Sequence, residues 1–284
     1  MHRSWLQKTI AFLSVTLLGL LVFVIFSHMR PVISGIWDLI GRLILIALLF
    51  VLTLFFRVKE RFRSYQPIIM AFFISAFAMA VDMYLPTSTW IRDLTDVSIE
   101  TPLGIAIDKL DSSIIIVLSI LIWSRILGKN CSDLFLCGGA WKKSLLIGII
   151  AFSLPAIAAY FIALLFGASP YSLLTFLGWL PFILIFIAGN AFNEELLFRG
   201  QFLRANEQVM PKFLANLAIA IPFVLHHTGI TYTNDVLMFL IFLFPLALAW
   251  GDIMQKTNSI WGSFLFHAGM DIPVVIALFS SLPR

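Results

Sequence analysis

Three apolar segments of this sequence each carry charged or imidazole side chains at helical spacing. The first reads Asn190-Ala191-Phe192-Asn193-Glu194-Glu195-Leu196-Leu197-Phe198-Arg199-Gly200. Ionisable groups in or beside a bilayer are costly, so such a cluster marks a site. Glu195 and Arg199 are four apart and share a helix face, where the guanidinium neutralises the carboxylate. Glu194 points about 100° away around the helix and is left free to act as a base. The second segment ends Phe223-Val224-Leu225-His226-His227, with the Phe223 ring placed to pack over the His227 imidazole. The third holds His267-Ala268-Gly269-Met270-Asp271, again with two polar residues on one face.

A carboxylate and an imidazole can hold and deprotonate a water. A second imidazole with a neighbouring Asp or Asn can donate to an oxyanion, provided the Asp is protonated or orients the histidine. These are the parts for hydrolysing an amide without a covalent intermediate. Glu194, His227 and His267 can alternatively be read as zinc ligands, with the metal activating the water. No His-Glu-x-x-His helix accompanies them, and each sits on a different segment. The expected site is therefore metal-free and without a cofactor.

Positioning these groups requires membrane helices. Of 284 residues, 61% are hydrophobic and 12% charged, too little polar surface for a soluble domain of this length. Runs of about 20 apolar residues exclude a β-barrel and predict an all-α, polytopic transmembrane bundle. Nine spans are expected, near 9–27, 34–56, 66–85, 112–127, 143–166, 171–203, 212–229, 235–255 and 259–281, with a catalytic cavity built from three of them. The first follows Arg3 and Lys8 and lacks a small-residue cleavage site, which predicts an uncleaved span rather than a signal peptide. The sixth is too long for one simple crossing and must tilt or protrude. Prolines 155, 181, 222, 245 and 273 are expected to kink their helices, and Pro222 and Pro273 flank the polar pocket. Residues 102–110 are predicted as a short interfacial helix. Cys131 and Cys137 match no zinc pattern; a loop disulfide is the alternative.

Arg57, Lys59, Arg61 and Arg63, then Arg125, Lys129, Lys142 and Lys143, then Arg199, Arg204 and Lys212 gather in loops on one side if the spans alternate. That side is expected to be cytoplasmic, with the N-terminus inside and the C-terminus outside. The same clustering explains the net charge of +4 without invoking nucleic acid. Helix rise places Glu194 about 15 Å back from Arg204, His227 about 22 Å in from Lys212 and His267 about 12 Å in from its helix start. The three groups can thus converge in one cavity, expected to open to the cytoplasmic side.

The order Glu-Glu-x-x-x-Arg, Phe-x-x-x-His, His-x-x-x-Asn/Asp on three separate helices resembles the CPBP family, which includes CAAX prenyl endopeptidases and bacteriocin-processing and immunity proteins. The resemblance covers roughly residues 145 to 284. It divides the chain into N-terminal helices of unassigned role (1–142) and a protease-like core (143–284). It implies an intramembrane endopeptidase in which Glu194 and His227 activate water, His267 and Asp271 stand at the oxyanion, and Glu195, Arg199 and Phe223 support the site. Eukaryotic CAAX endopeptidases carry Asn where this chain has Asp271, and an ionised Asp cannot donate. The expected partners are a peptide or membrane-protein substrate and the lipid bilayer, and the expected location is a bacterial inner membrane. A non-catalytic scaffold or immunity protein on the same fold is the runner-up. A proton-coupled transporter is a third reading, weakened by the absence of an internal repeat.

Overall fold

The computed structural model describes residues 4–282 except 28, 231, 232 and 234. Its ordered elements are helical: α1 (Trp5–Leu20), α2 (Ile36–Val58), α3 (Gln66–Tyr84), α4 (Thr87–Thr95), α5 (Pro102–Ile126), α6 (Trp141–Ile157), α7 (Ala159–Leu165), α8 (Leu173–Glu194), α9 (Leu203–Glu207), α10 (Lys212–His226), α11 (Val236–Thr257) and α12 (Trp261–Ser280). Polar side chains start several of them. Ser4 and Gln7 form a capping box on α1, and Ser172 and Asp235 accept first-turn N–H groups of α8 and α11.

Six helical stretches are long and apolar enough to cross a membrane: Trp5–Ile25, Ile36–Val58, Glu60–Thr95, Leu173–Glu207, Val236–Thr257 and Trp261–Ser280. The pair α6–α7 makes a seventh if its two arms, bent by 62°, count as one. The other two expected spans correspond to α5 and α10, which differ for identifiable reasons. The first half of α5 carries Asp108, Lys109 and Asp111, and α10 has only 15 residues against about 20 for a simple crossing. Residues 102–110 are not a separate interfacial helix. Thr101 caps and Pro102 opens one continuous helix to Ile126, and the short helix lies earlier, at α4. The long sixth segment stays helical but changes its winding: after Glu194 it becomes a π turn, Glu195–Gly200, before α9.

The bundle has two distinct ends. At one, Phe135 O accepts from Ile260 N, Lys129 donates to Gln201, and Gln255 donates to Glu207 and to Lys212 O. The Cys131–Cys137 disulfide closes the loop that carries buried Leu134 and Phe135 there. This end collects the basic loops. At the other end Tyr84 donates to Asp38, Ser169 N donates to Ser280 Oγ, and Gly229 lies against Met29 and Arg30.

Helix α12 is the hub. Its span is 67% buried inside the protein, against 22–28% for α2, α8–α9 and α11. Small residues let it approach α6: a Cβ on Gly262 would meet Ser144 O at 2.5 Å, and one on Gly269 the Phe152 backbone at 2.7 Å. Ser144 Oγ accepts from Gly262 N at 2.8 Å across the same seam. Elsewhere in the bundle Pro222 of α10 seats against Gly19 of α1. Gly262→Ala and Gly269→Ala are expected to destabilise the protein by about 1–3 kcal/mol each, because the neighbour is backbone and cannot yield. Gly178→Ala, which meets open space, should be neutral or slightly stabilising. Thermal unfolding in detergent checks this; equal melting temperatures for all three variants would contradict the close-packed seam.

Candidate active site

The site forms where α8 changes its winding. Glu195 begins the π turn and is fully buried, as are Phe198 and Arg199 within about 1% exposure. Such turns are rare and recur at functional sites. Arg199 Nη1 donates to Glu195 Oε1 at 2.8 Å, and Nη2 donates to Ala247 O at 3.3 Å. The guanidinium lies over Phe223 at 4.3 Å and beside Trp250 at 5.2 Å, so aromatic faces cover what carboxylate and carbonyl do not. The sequence-predicted pair is present, but Glu195 does more than bind Arg199. It also accepts from His267 Nδ1 at 2.9 Å and, through its second oxygen, from the Ser263 hydroxyl. Spacing within one helix carries no signal for either partner, since both lie on α12.

Glu194, one residue earlier, approaches the other nitrogen of the same His267 ring. Its Oε2 lies 3.7 Å from His227 Nε2 and 3.6 Å from His267 Nε2, beyond hydrogen-bond length. The two imidazoles are fixed from behind. His227 follows α10 as the first residue of a 3-10 turn, and its Nδ1 donates to Phe223 O at 2.8 Å. Phe223 packs over its ring at 4.8 Å, as the four-residue spacing predicts. His267 stacks on Trp250 at 4.0 Å with 9° between the planes. Because both Nδ1 atoms face oxygen acceptors, both Nε2 atoms are turned to Glu194. On α12 His267 Nε2 stands 3.6 Å from Asp271 Oδ1, and Asp271 Oδ2 accepts from Asn190 Nδ2 of α8 at 2.9 Å.

These groups line a cavity of about 110 Å³ whose remaining wall is largely apolar, with Phe166, Phe186, Phe239, Phe242 and Leu243. Lys109 from α5 and Met29 from the loop after α1 also line it. Both come from the first 142 residues, where no role is legible in the sequence. The same region holds the histidine turn in place: His226 Nδ1 donates to Phe23 O at 2.6 Å, and Arg42, paired with Asp38 at 2.7 Å, donates to Ser27 O. The cavity extends toward the end carrying Met29, Phe166 and Phe239, not toward the basic loops as the sequence suggests. The basic side beneath Glu194 is filled by the π turn and by packed Phe23, Phe72, Phe198 and Phe202. Among the described residues, no group of three His, Cys, Asp or Glu is arranged to hold a metal ion.

All seven sequence-predicted side chains, Glu194, Glu195, Arg199, Phe223, His227, His267 and Asp271, therefore gather at one place. Residues 176–273, which contain every one of them, match the family model described as type II CAAX prenyl endopeptidase Rce1-like. This match, over about a third of the chain, supports the resemblance to CAAX prenyl endopeptidases. No curated protein and no solved structure matches the chain. Asn190, Ser263 and Trp250 of this Rce1-like segment contact the motif residues yet belong to none of the three motifs.

The Glu195–Arg199 pair is buried and stacked, so removing one partner strands a charge. Arg199→Met is expected to cost about 3–5 kcal/mol in unfolding stability, with Glu195→Gln/Arg199→Met no less stable than that single variant. Additive losses in the double variant would argue against a coupled pair.

Proposed function

We propose that the protein is an intramembrane endopeptidase that hydrolyses a peptide bond with a water held between Glu194 and His227. The observation that carries this reading is the separation of Glu194 Oε2 from His227 Nε2, 3.7 Å, with His227 Nδ1 already committed to Phe223 O. Two acceptors at that distance suit a water that donates one hydrogen to each. On attack at the scissile carbonyl, the pair takes up the water proton and later delivers it to the leaving amine. His267, held through Nδ1 by Glu195, presents Nε2 toward the same space; as an imidazolium it donates to the developing oxyanion. Glu195 and Arg199 hold that imidazole and take no direct part. This chemistry needs no metal.

A nine-helix membrane bundle, with α5 and α10 crossing alongside the seven apolar spans, accommodates this site. The basic loops favour a cytoplasmic N-terminus in a bacterial inner membrane. The disulfide loop at the same end points the other way, because disulfides persist in oxidising compartments. Many dispersed Lys and Arg residues outweigh one short loop, whose thiols a reducing cytoplasm can keep open. In this orientation the cavity faces away from the cytoplasm, so substrate arrives from the external side.

Glu194→Gln keeps the shape of the side chain and removes its capacity to take a proton. Purified parent protein is expected to cleave members of a peptide panel, and Glu194→Gln to lose at least about 10²-fold in kcat with an unchanged melting temperature. Equal turnover would remove Glu194 as the base, and inert parent protein would favour a scaffold role. Chelator treatment should leave the activity intact; loss to chelator with recovery on adding zinc would make Glu194, His227 and His267 ligands.

Orientation is checked with single cysteines in a Cys131→Ser/Cys137→Ser background. A membrane-impermeant maleimide should label Val32→Cys but not Lys142→Cys in intact cells. The reverse pattern would place the cavity on the cytoplasmic side.

A further inference from the structure

Oxyanion stabilisation in amide hydrolysis usually requires at least two donors aimed at one point. His267 supplies one. The residue four positions after it, Asp271, is an acceptor when ionised and cannot supply the other. Its actual partner settles what it does. Asn190 Nδ2 lies 2.9 Å from Asp271 Oδ2, both residues are at least nine-tenths buried, and both line the cavity. A carboxylate can only accept here, so the amide must present its nitrogen rather than its oxygen to Asp271. Asn190 lies one turn before Glu194 on α8, so it shares the cavity face of that helix. An amide nitrogen carries two hydrogens, and Asp271 takes one of them.

We propose that Asn190 is a catalytic residue: its second N–H, with Nε2–H of His267, forms the oxyanion hole, and Asp271 orients both donors. The inference rests on the hydrolase reading above. Asp271 is placed for the orienting part, with Oδ2 on the Asn190 amide and Oδ1 3.6 Å from His267 Nε2. Its carboxylate fixes the amide flip. No proton leaves Asn190 during the cycle. The two N–H groups only strengthen their bonds as the carbonyl oxygen becomes an alkoxide, and they relax when the C–N bond breaks. The amide donor that an Asn on α12 would furnish is supplied instead from α8.

The test uses the full-length protein in detergent or lipid nanodiscs with a cleavable peptide from the panel. Asn190→Ala removes both hydrogens and is expected to lower kcat about 10²–10³-fold with little change in KM. Asn190→Ser isolates the catalytic part, because its single hydroxyl hydrogen can still satisfy Asp271 but leaves none for the oxyanion. It should keep the parental melting temperature and still lose at least about ten-fold in kcat. The decisive variant is Asn190→Ala/Asp271→Asn. There Asp271→Asn brings an amide donor back from α12, and kcat should rise at least ten-fold above Asn190→Ala. A purely structural Asn190 predicts the opposite, since the double variant lacks the whole buried pair. Folded Asn190→Ala or Asn190→Ser with parental kcat, or a double variant no faster than Asn190→Ala, overturns the assignment while leaving the hydrolase reading in place. A parent as inert as Glu194→Gln toward every peptide overturns both.

Discussion

One buried carboxylate organises the site. Glu195 is fully enclosed, and a charge in that position is tolerable only if its lone pairs are occupied by good donors. It finds Arg199 on its own turn and Ser263 and His267 on α12. Satisfying that single charge ties the π turn after α8 to the hub helix and orients the His267 imidazole. Arg199 in turn reaches Ala247 O and lies between Phe223 and Trp250, which brings α10 and α11 into the same cluster. Four helices are thus registered against one another by one ion and its partners.

The consequence for chemistry is a division of labour between adjacent residues. Glu195 is saturated and holds the scaffold. Glu194 is left facing two imidazole nitrogens at distances that admit a small molecule between them. The π turn lets one short stretch serve both purposes, because it starts at Glu195 and re-aims the side chains that follow. Elsewhere on the cavity wall Asn190 is tied to Asp271 by a hydrogen bond between α8 and α12.

The N-terminal helices are part of this arrangement. Met29 and Lys109 border the cavity, while Phe23 and Ser27 anchor the histidine turn through His226 and through Arg42. Below Glu194 the packed phenylalanines from α1's end, α3 and the π turn close the basic side. The cavity wall is therefore built as much by the region outside the family-matched segment as by the motifs within it.

The helical class and the membrane character were legible in the sequence, and the seven side chains it singled out do meet in space, because each of these rests on a local regularity. Apolar runs give spans, and four-residue spacings put Glu195 with Arg199, Phe223 with His227, and His267 with Asp271 on common faces. What spacing cannot encode is which helix lies opposite. Ser263 and His267 meet Glu195, and Asn190 meets Asp271, because α12 packs beside α8 and its π turn, while glycines at 148, 262 and 269 let its other flank approach α6 closely. Charge dilutes the apolar run of α5 and α10 is short, so these two expected spans are not among the six or seven long apolar helices, and the cavity's direction differed because aromatic packing rather than helix length closes one end. Local chemistry was fixed by the order of residues along the chain; the partners of each charge were fixed by close packing between helices far apart in that order.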